Sequence, residues 1–480
     1  MDPIQKSCYK NGNWKQIVLL LLLTVIFIFP ACASTGGEGS IPESQEGILT
    51  YAALNPLTSA QKRRILNFNN SRSDIQIEVL DYSDEGGIDR LLTELALGKV
   101  PDIMELHRFG SGEDRATYSM AVRKFSGDEY WMPYRQMARK GYLADLWPYI
   151  ESDPELGREA VLEAPLKAAE VDGGLYMLFG DVTLNTLVGE ESVVGNRDGW
   201  TLEELMETFS AMPDDSTILR YNATRWEMYS QLFCTTLDQY IDWETGQCSF
   251  DNNEFRSMLE FLKTFPAEFE TTLTPNELEE ELFWRKFGGM QMLEPVFICT
   301  LESIPHQNAV FGRDHVSYVG YPTTDGSSGS FFYIDGTMLA MASTCQNTEA
   351  AWKFMSYLIR PVYSVDAMKQ KHWDFAIHIP VNRKNFENGN IADLHERPED
   401  IVPLFTFSGG PCIQVNPPTN SDLRLFEKLV NNTTQIYWPD DALAEIIWDS
   451  IGAYFAGDRT LDETIQMVQN RVKLYVSENR

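Results

Sequence analysis

The chain has 480 residues, 43% apolar and 12% aromatic, with a formal net charge of −31. That length points to two or three domains, and the composition is that of a folded protein without a long low-complexity tract. A surface this acidic repels nucleic-acid phosphates and anionic lipid, which argues against a nucleic-acid role.

The first predicted element is a targeting segment. Lys6, Lys10 and Lys15 precede an apolar run over 17–29. Such a run, about 13 residues long, is too short to span a bilayer comfortably as a helix. Pro30, Ala31 and Cys32 follow, then a stretch rich in Gly and Ser. A basic region, a short apolar core and small residues predict a secretory signal over 1–31. Cys32 then carries a lipid, and 32–46 is a flexible tether. The arrangement resembles a bacterial lipobox, although Phe29 and Pro30 replace its usual Leu and small residue. An uncleaved membrane anchor is the alternative. Either reading puts the body on the extracellular face of the cell membrane.

Beyond the tether the pattern alternates between strand and helix. Residues 48–53 form a short apolar strand, and 59–67 a helix with Ile65 and Phe68 on its apolar side. Ile75, Ile77 and Val79 alternate with polar residues as a second strand. Ile88, Leu91, Leu92 and Leu95 recur at helical spacing before Gly98, and 102–106 is a third strand. A β-α-β-α-β series predicts a parallel sheet covered by helices. Ligands of such sheets sit outside the carboxyl ends of the strands, so the loops 54–58, 83–87 and 107–110 are the first candidates for contact. Thr201 with Glu204, Asp251 with Glu254 and Thr460 with Glu463 have capping-box spacing. Asn347 is expected to cap a helix that ends before Pro361. The last helix carries Leu461, Ile465, Val468 and Val472 on one core-facing stripe.

The seven cysteines, at 8, 32, 234, 248, 299, 345 and 412, do not form a disulfide-scaffold pattern. Most read as buried thiols that act as small apolar residues, with a Cys234–Cys248 bridge as the alternative.

Several segments fit together. In chain order they are Leu97-Gly98-Lys99-Val100-Pro101-Asp102-Ile103, Lys140-Gly141-Tyr142-Leu143-Ala144-Asp145-Leu146, Gly199-Trp200-Thr201-Leu202-Glu203-Glu204-Leu205, Gly320-Tyr321-Pro322-Thr323-Thr324-Asp325-Gly326, Asn347-Thr348-Glu349-Ala350-Ala351-Trp352-Lys353-Phe354 and 455–463. Their order and spacing resemble the family 1 extracellular solute-binding proteins of ABC importers. The resemblance implies an α/β, two-lobed periplasmic-binding-protein-like fold with hinge crossings between lobes near 178–183, 292–297 and 336–342. Lobe 1 is then 47–180 with 293–338, and lobe 2 is 181–292 with 339–480. It also implies a monomer that holds a small-molecule ligand in the inter-lobe cleft, partners an ABC permease and needs no cofactor.

A carbohydrate presents flat apolar C–H faces and many hydroxyls, so its site needs aromatic platforms and fixed polar acceptors. The chain has 11 Trp, 20 Tyr and 26 Phe. Trp131 and Tyr134 stand in one aromatic cluster, and Trp226 is a further platform candidate. Trp373, Trp438 and Asp440 lie in aromatic–acidic loops before helices. Glu294 and Phe297 fall at the second implied crossing. Asp181 falls at the first, as a hydroxyl acceptor or a cap. Each of these residues has a competing reading as simple packing or capping.

Catalytic constellations are missing. There is no phosphate loop, no His-Glu-x-x-His and no Gly-x-Ser-x-Gly elbow. The six His show no pair at metal spacing, so no metal site is expected. The sequence therefore predicts a receptor for an oligosaccharide rather than an enzyme. The alternatives are the binding subunit of a sensing system and, further off, a glycan-acting hydrolase.

Overall fold

The computed structural model describes residues 47–109, 130–153, 156–233, 236–313, 315–334, 336–359, 378–395, 402–405, 410–438 and 440–479. The signal, the tether, Cys32 and Trp373 lie outside the described residues. The strands of the two main sheets are, in chain order, β1 (Ile48–Ala53), β2 (Gln76–Asp81), β3 (Ile103–Glu105), β4 (Asp181–Glu190), β5 (Glu294–Ile298), β6 (Val316–Tyr318), β7 (Phe331–Ile334), β8 (Leu339–Met341), β9 (Ile379–Pro380) and β10 (Gln435–Ile436).

The chain divides into two compact units. The first holds the described residues up to Arg108 together with Leu339–Leu358, and the second holds Phe109–Met338 with Ile359–Arg480. In the first unit the strand order is β8-β3-β1-β2. β1 runs parallel to β2, from Ile48 beside Gln76 to Ala53 beside Asp81, and parallel to β3. β8 adds on antiparallel. A central parallel strand is covered on both faces, so Leu49 to Ala53 are all buried. β2 is an edge strand and turns Gln76, Glu78 and Asp81 to solvent. The helix Ser59–Asn70 starts from a capping box in which Thr58 and Gln61 satisfy each other's backbone amides. The predicted β-α-β-α-β order is present.

The second unit is built around β4. This strand is buried from Val182 to Gly189. β5, β6, β7 and β9 pair with it antiparallel, and β10 lies parallel to β7. Helices cover the sheet through a core that includes Trp200, Tyr229, Phe255, Leu259, Ile447, Ile465, Val468 and Val472. Trp200 is fully buried, and its indole N–H donates to the Gly320 carbonyl at 3.0 Å.

These pairings group the segments differently from the expected lobes. β5 and β7 lie beside β4, across the boundary expected at 180/181, while β8 joins the sheet of β1 and β3. The reason is register between distant strands, which leaves no local mark in the sequence.

The Thr201–Glu204 and Thr460–Glu463 boxes form as expected. The helix Asn253–Lys263 is capped one residue later than expected. Asn252 reaches the Phe255 amide at 2.8 Å, and Asp251 pairs with Arg256 instead. Cys248 is a free thiol, so the Cys234–Cys248 bridge is not made, and Cys299, Cys345 and Cys412 are free as well. Among the described residues no helix is long and apolar enough to cross a membrane.

Candidate functional site

Directly opposed residues on paired strands project to the same face of a sheet. In the second unit, Thr183 faces Tyr333 across β4 and β7, and Asn185 faces Phe331 and Phe297. Asp181 is opposite Pro380. One face of this sheet therefore carries Asp181, Thr183 and Asn185 among aromatic rings, with Thr183, Asn185, Phe331 and Tyr333 buried and Asp181 and Phe297 half-buried. The other carries Val182, Leu184, Phe332, Val296 and Ile298, all buried.

The polar–aromatic face is extended by two segments far apart in sequence. The backbone amide of Tyr437 donates to the Phe332 carbonyl at 2.7 Å, which continues the β10 pairing and sets the Tyr437 ring 5.8 Å from Tyr333. Trp131 stands nearly perpendicular to three rings: Tyr333 at 6.2 Å, Tyr437 at 6.0 Å and Trp438 at 4.9 Å. Tyr134 closes the group 5.2 Å from Trp438. Edge-to-face packing of this kind suits the ring quadrupoles. Tyr134 and Tyr333 are buried, whereas Trp131, Tyr437 and Trp438 are half-buried. Burial holds the Tyr134 phenol protonated by pushing its pKa well above the usual tyrosine value. Its hydroxyl donates to the Ala169 carbonyl and accepts from the Tyr176 amide.

Of the residues singled out from sequence, Trp131, Tyr134 and Trp438 come together here, with Asp181 and Phe297 on the same sheet face. Others are placed elsewhere. Glu294 projects from the opposite face of β5 and is held by Lys286 and Gln291, each at 2.6 Å. Asp440 caps the helix Asp441–Ala456, taking the Leu443 amide and the Tyr475 hydroxyl. Trp226 packs on Trp448 and Tyr229 against the helical core. Tyr333 and Thr183 are not among the residues singled out from sequence. Tyr333 sits in an apolar run that reads as core, and only the strand register shows which side it takes, whereas Thr183 stands in the alternating run Asp181-Val182-Thr183-Leu184-Asn185, whose polar residues share one face. Tyr437 stands beside Trp438 in the aromatic–acidic loop and also carries a local signal.

In the first unit the three candidate loops are tied together. Asn55 donates to the His107 carbonyl at 2.8 Å, and the Arg108 guanidinium donates to the carbonyls of Ser83 and Asp84. The buried Glu105 side chain accepts from Tyr51, from the Leu54 and Asn55 amides and from the Asn55 side chain. Burial raises its pKa, against the pull of those donors. Among the described residues no three His, Cys, Asp or Glu side chains are placed to hold a metal ion.

No protein-family model matches the chain, and no curated protein does. Solved structures do match. A periplasmic oligogalacturonide binding protein from Yersinia enterocolitica is similar with a TM-score of 0.52 at 13% identity, over 90% of this chain and 100% of that one. The sugar-binding protein MalE from the phytopathogen Xanthomonas citri gives 0.49 at 14% identity, over 90% and 97%. The likeness to the Yersinia protein shows the fold, which is the α/β, periplasmic-binding-protein-like class implied by the sequence resemblance.

Proposed function

We propose that this protein is an extracellular solute-binding protein that delivers a neutral oligosaccharide to an ABC importer and is held at the membrane by a lipid on Cys32. The observation that carries the reading is the half-buried surface of Trp131, Tyr437 and Trp438 beside a strand face that begins with the half-buried Asp181. Rings meet the apolar face of a sugar, and carboxylate and hydroxyl oxygens meet its hydroxyls. The periplasmic protein with the same fold is named for binding an oligogalacturonide, a sugar chain. A net charge of −31 disfavours a polyanionic chain and points to a neutral one.

A thermal-shift screen of the mature protein against a library of neutral oligosaccharides tests the sugar assignment. A rise in melting temperature with a change in tryptophan emission is expected for at least one member, and the sugar should be recovered uncleaved. A flat response across the library would overturn the assignment, and recovery of shortened sugar would favour a hydrolase. Cys32→Ser should move the protein from the membrane fraction to the medium. Retention would favour an uncleaved anchor.

A further inference from the structure

We propose that Glu105 is a positioning residue whose carboxyl group presets the 54–58 loop of the first unit for contact with the solute. The inference rests on the solute-binding reading above.

Glu105 ends β3, beside β1 at the carboxyl edge of the parallel strands. It is only 2% exposed. Its Oε1 takes the Tyr51 hydroxyl at 2.6 Å. Its Oε2 takes the Leu54 amide at 2.8 Å, the Asn55 amide at 3.0 Å and the Asn55 side-chain amide at 3.0 Å. All four donors are neutral. The same Asn55 amide nitrogen also donates to the His107 carbonyl, so one acidic side chain joins the loop after β1 to the chain leaving β3.

A carboxyl group buried with no cation beside it among the described residues is an expensive way to fill a core position, and an apolar side chain of similar volume would serve packing better. What Glu105 adds is direction. It fixes the first two residues of the loop, while the Thr58–Gln61 capping box fixes the last. Pro56, with its restricted φ, lies between them. A loop held at both ends carries little conformational entropy to lose when a ligand docks. Loops at this edge of an open α/β sheet are where ligands are met.

The test compares full-length mature wild type with Glu105→Gln and Glu105→Leu. Amide exchange is followed by mass spectrometry over peptides covering 54–58. Affinity is measured by calorimetry with maltotetraose and cellotetraose first, then with any library member that shifts the melt. Losing the hydrogen bonds to the loop should speed its exchange about tenfold in the Leu variant and less in the Gln variant, which keeps an acceptor. Affinity should fall in the same order, while the melting temperature of the ligand-free Gln variant stays near wild type. A purely stabilising role would instead lower the melt and leave affinity unchanged. Wild-type exchange and affinity in both variants would overturn the proposal. If wild type binds no oligosaccharide, the solute reading falls, and the exchange data alone decide whether Glu105 sets the loop.

Discussion

The indole N–H of Trp438 donates to the carbonyl oxygen of Met132 at 3.2 Å, joining two segments 306 residues apart. The bond sets the Trp438 ring edge-to-face against Trp131, the residue before that carbonyl. Two half-buried tryptophans are thereby held as one surface, with Tyr437 brought in by its own backbone bond to Phe332.

If this surface is the sugar platform, Trp438→Ala should weaken oligosaccharide binding by about 2 kcal/mol, as for aromatic anchors at other binding surfaces. Trp438→Phe keeps a ring but loses the N–H, and should cost about 1 kcal/mol. Calorimetric titration of both variants checks the order. Equal affinity in wild type and Trp438→Ala would move the site elsewhere.

Asp440 lies next to this surface but serves the fold. Its side chain takes the Leu443 amide at 2.9 Å and the Tyr475 hydroxyl at 2.8 Å, so it ties the start of the helix Asp441–Ala456 to the helix Leu461–Asn479. Asp440→Ala should lower stability by about 1–2 kcal/mol through loss of the cap. Oligosaccharide affinity should be unchanged at a temperature where the variant is folded. Denaturant melts and titration together separate the two roles.

Glu105 predicts a pH dependence with a defined sign. Burial raises its carboxyl pKa above the ordinary glutamate value, and the groups facing it are the Tyr51 phenol and the amides of Leu54 and Asn55. Tyr51 stays protonated throughout, because burial and the nearby Glu105 push its own pKa well up. A raised carboxyl pKa means the folded state binds the proton more tightly than the unfolded chain. The resulting stability is fully present below the unfolded pKa and is lost as pH rises through the folded one. Gln cannot titrate, so the stability of wild type relative to Glu105→Gln should fall as pH rises from about 4 toward neutrality, where the two melt close together. Paired denaturant melts across that range test it, and a wild-type advantage that grew with pH would contradict the assignment.

Two free thiols should differ sharply in reactivity. Cys345 is buried, and burial together with the charge of Asp102 pushes its pKa up to about 12. At pH 8 almost none of it is thiolate, the form that attacks alkylating agents. Cys412 is exposed. Iodoacetamide on the native protein at pH 8 should label Cys412 and spare Cys345, as read by peptide mass, with Cys345 labelled only after denaturation.

How much of the candidate site could be read in advance follows from the range of each signal. Trp131, Tyr134 and Trp438 announce themselves by clustering with other aromatic residues over a few positions. Tyr333 does not, because in Phe331-Phe332-Tyr333-Ile334 every residue is buried and the alternation of faces leaves no polar mark. The same limit applies to Glu294, since nothing local says that it projects to the Lys286 side of its strand. Asp181 differs, because the alternation Asp181-Val182-Thr183-Leu184-Asn185 marks its face within the strand.

The β-α-β-α-β start, the Thr201 and Thr460 caps and the stripe of the last helix were determined by the sequence alone. Each is a pattern of neighbours within one or two turns of chain, where periodicity and capping act directly. Tertiary structure alone decided that β5 and β7 flank β4, that β8 leaves them for the sheet of β3, and that residues 131 and 438 share one surface. Those outcomes depend on register and packing between segments more than 100 residues apart, and such choices are settled only by the whole set of competing contacts.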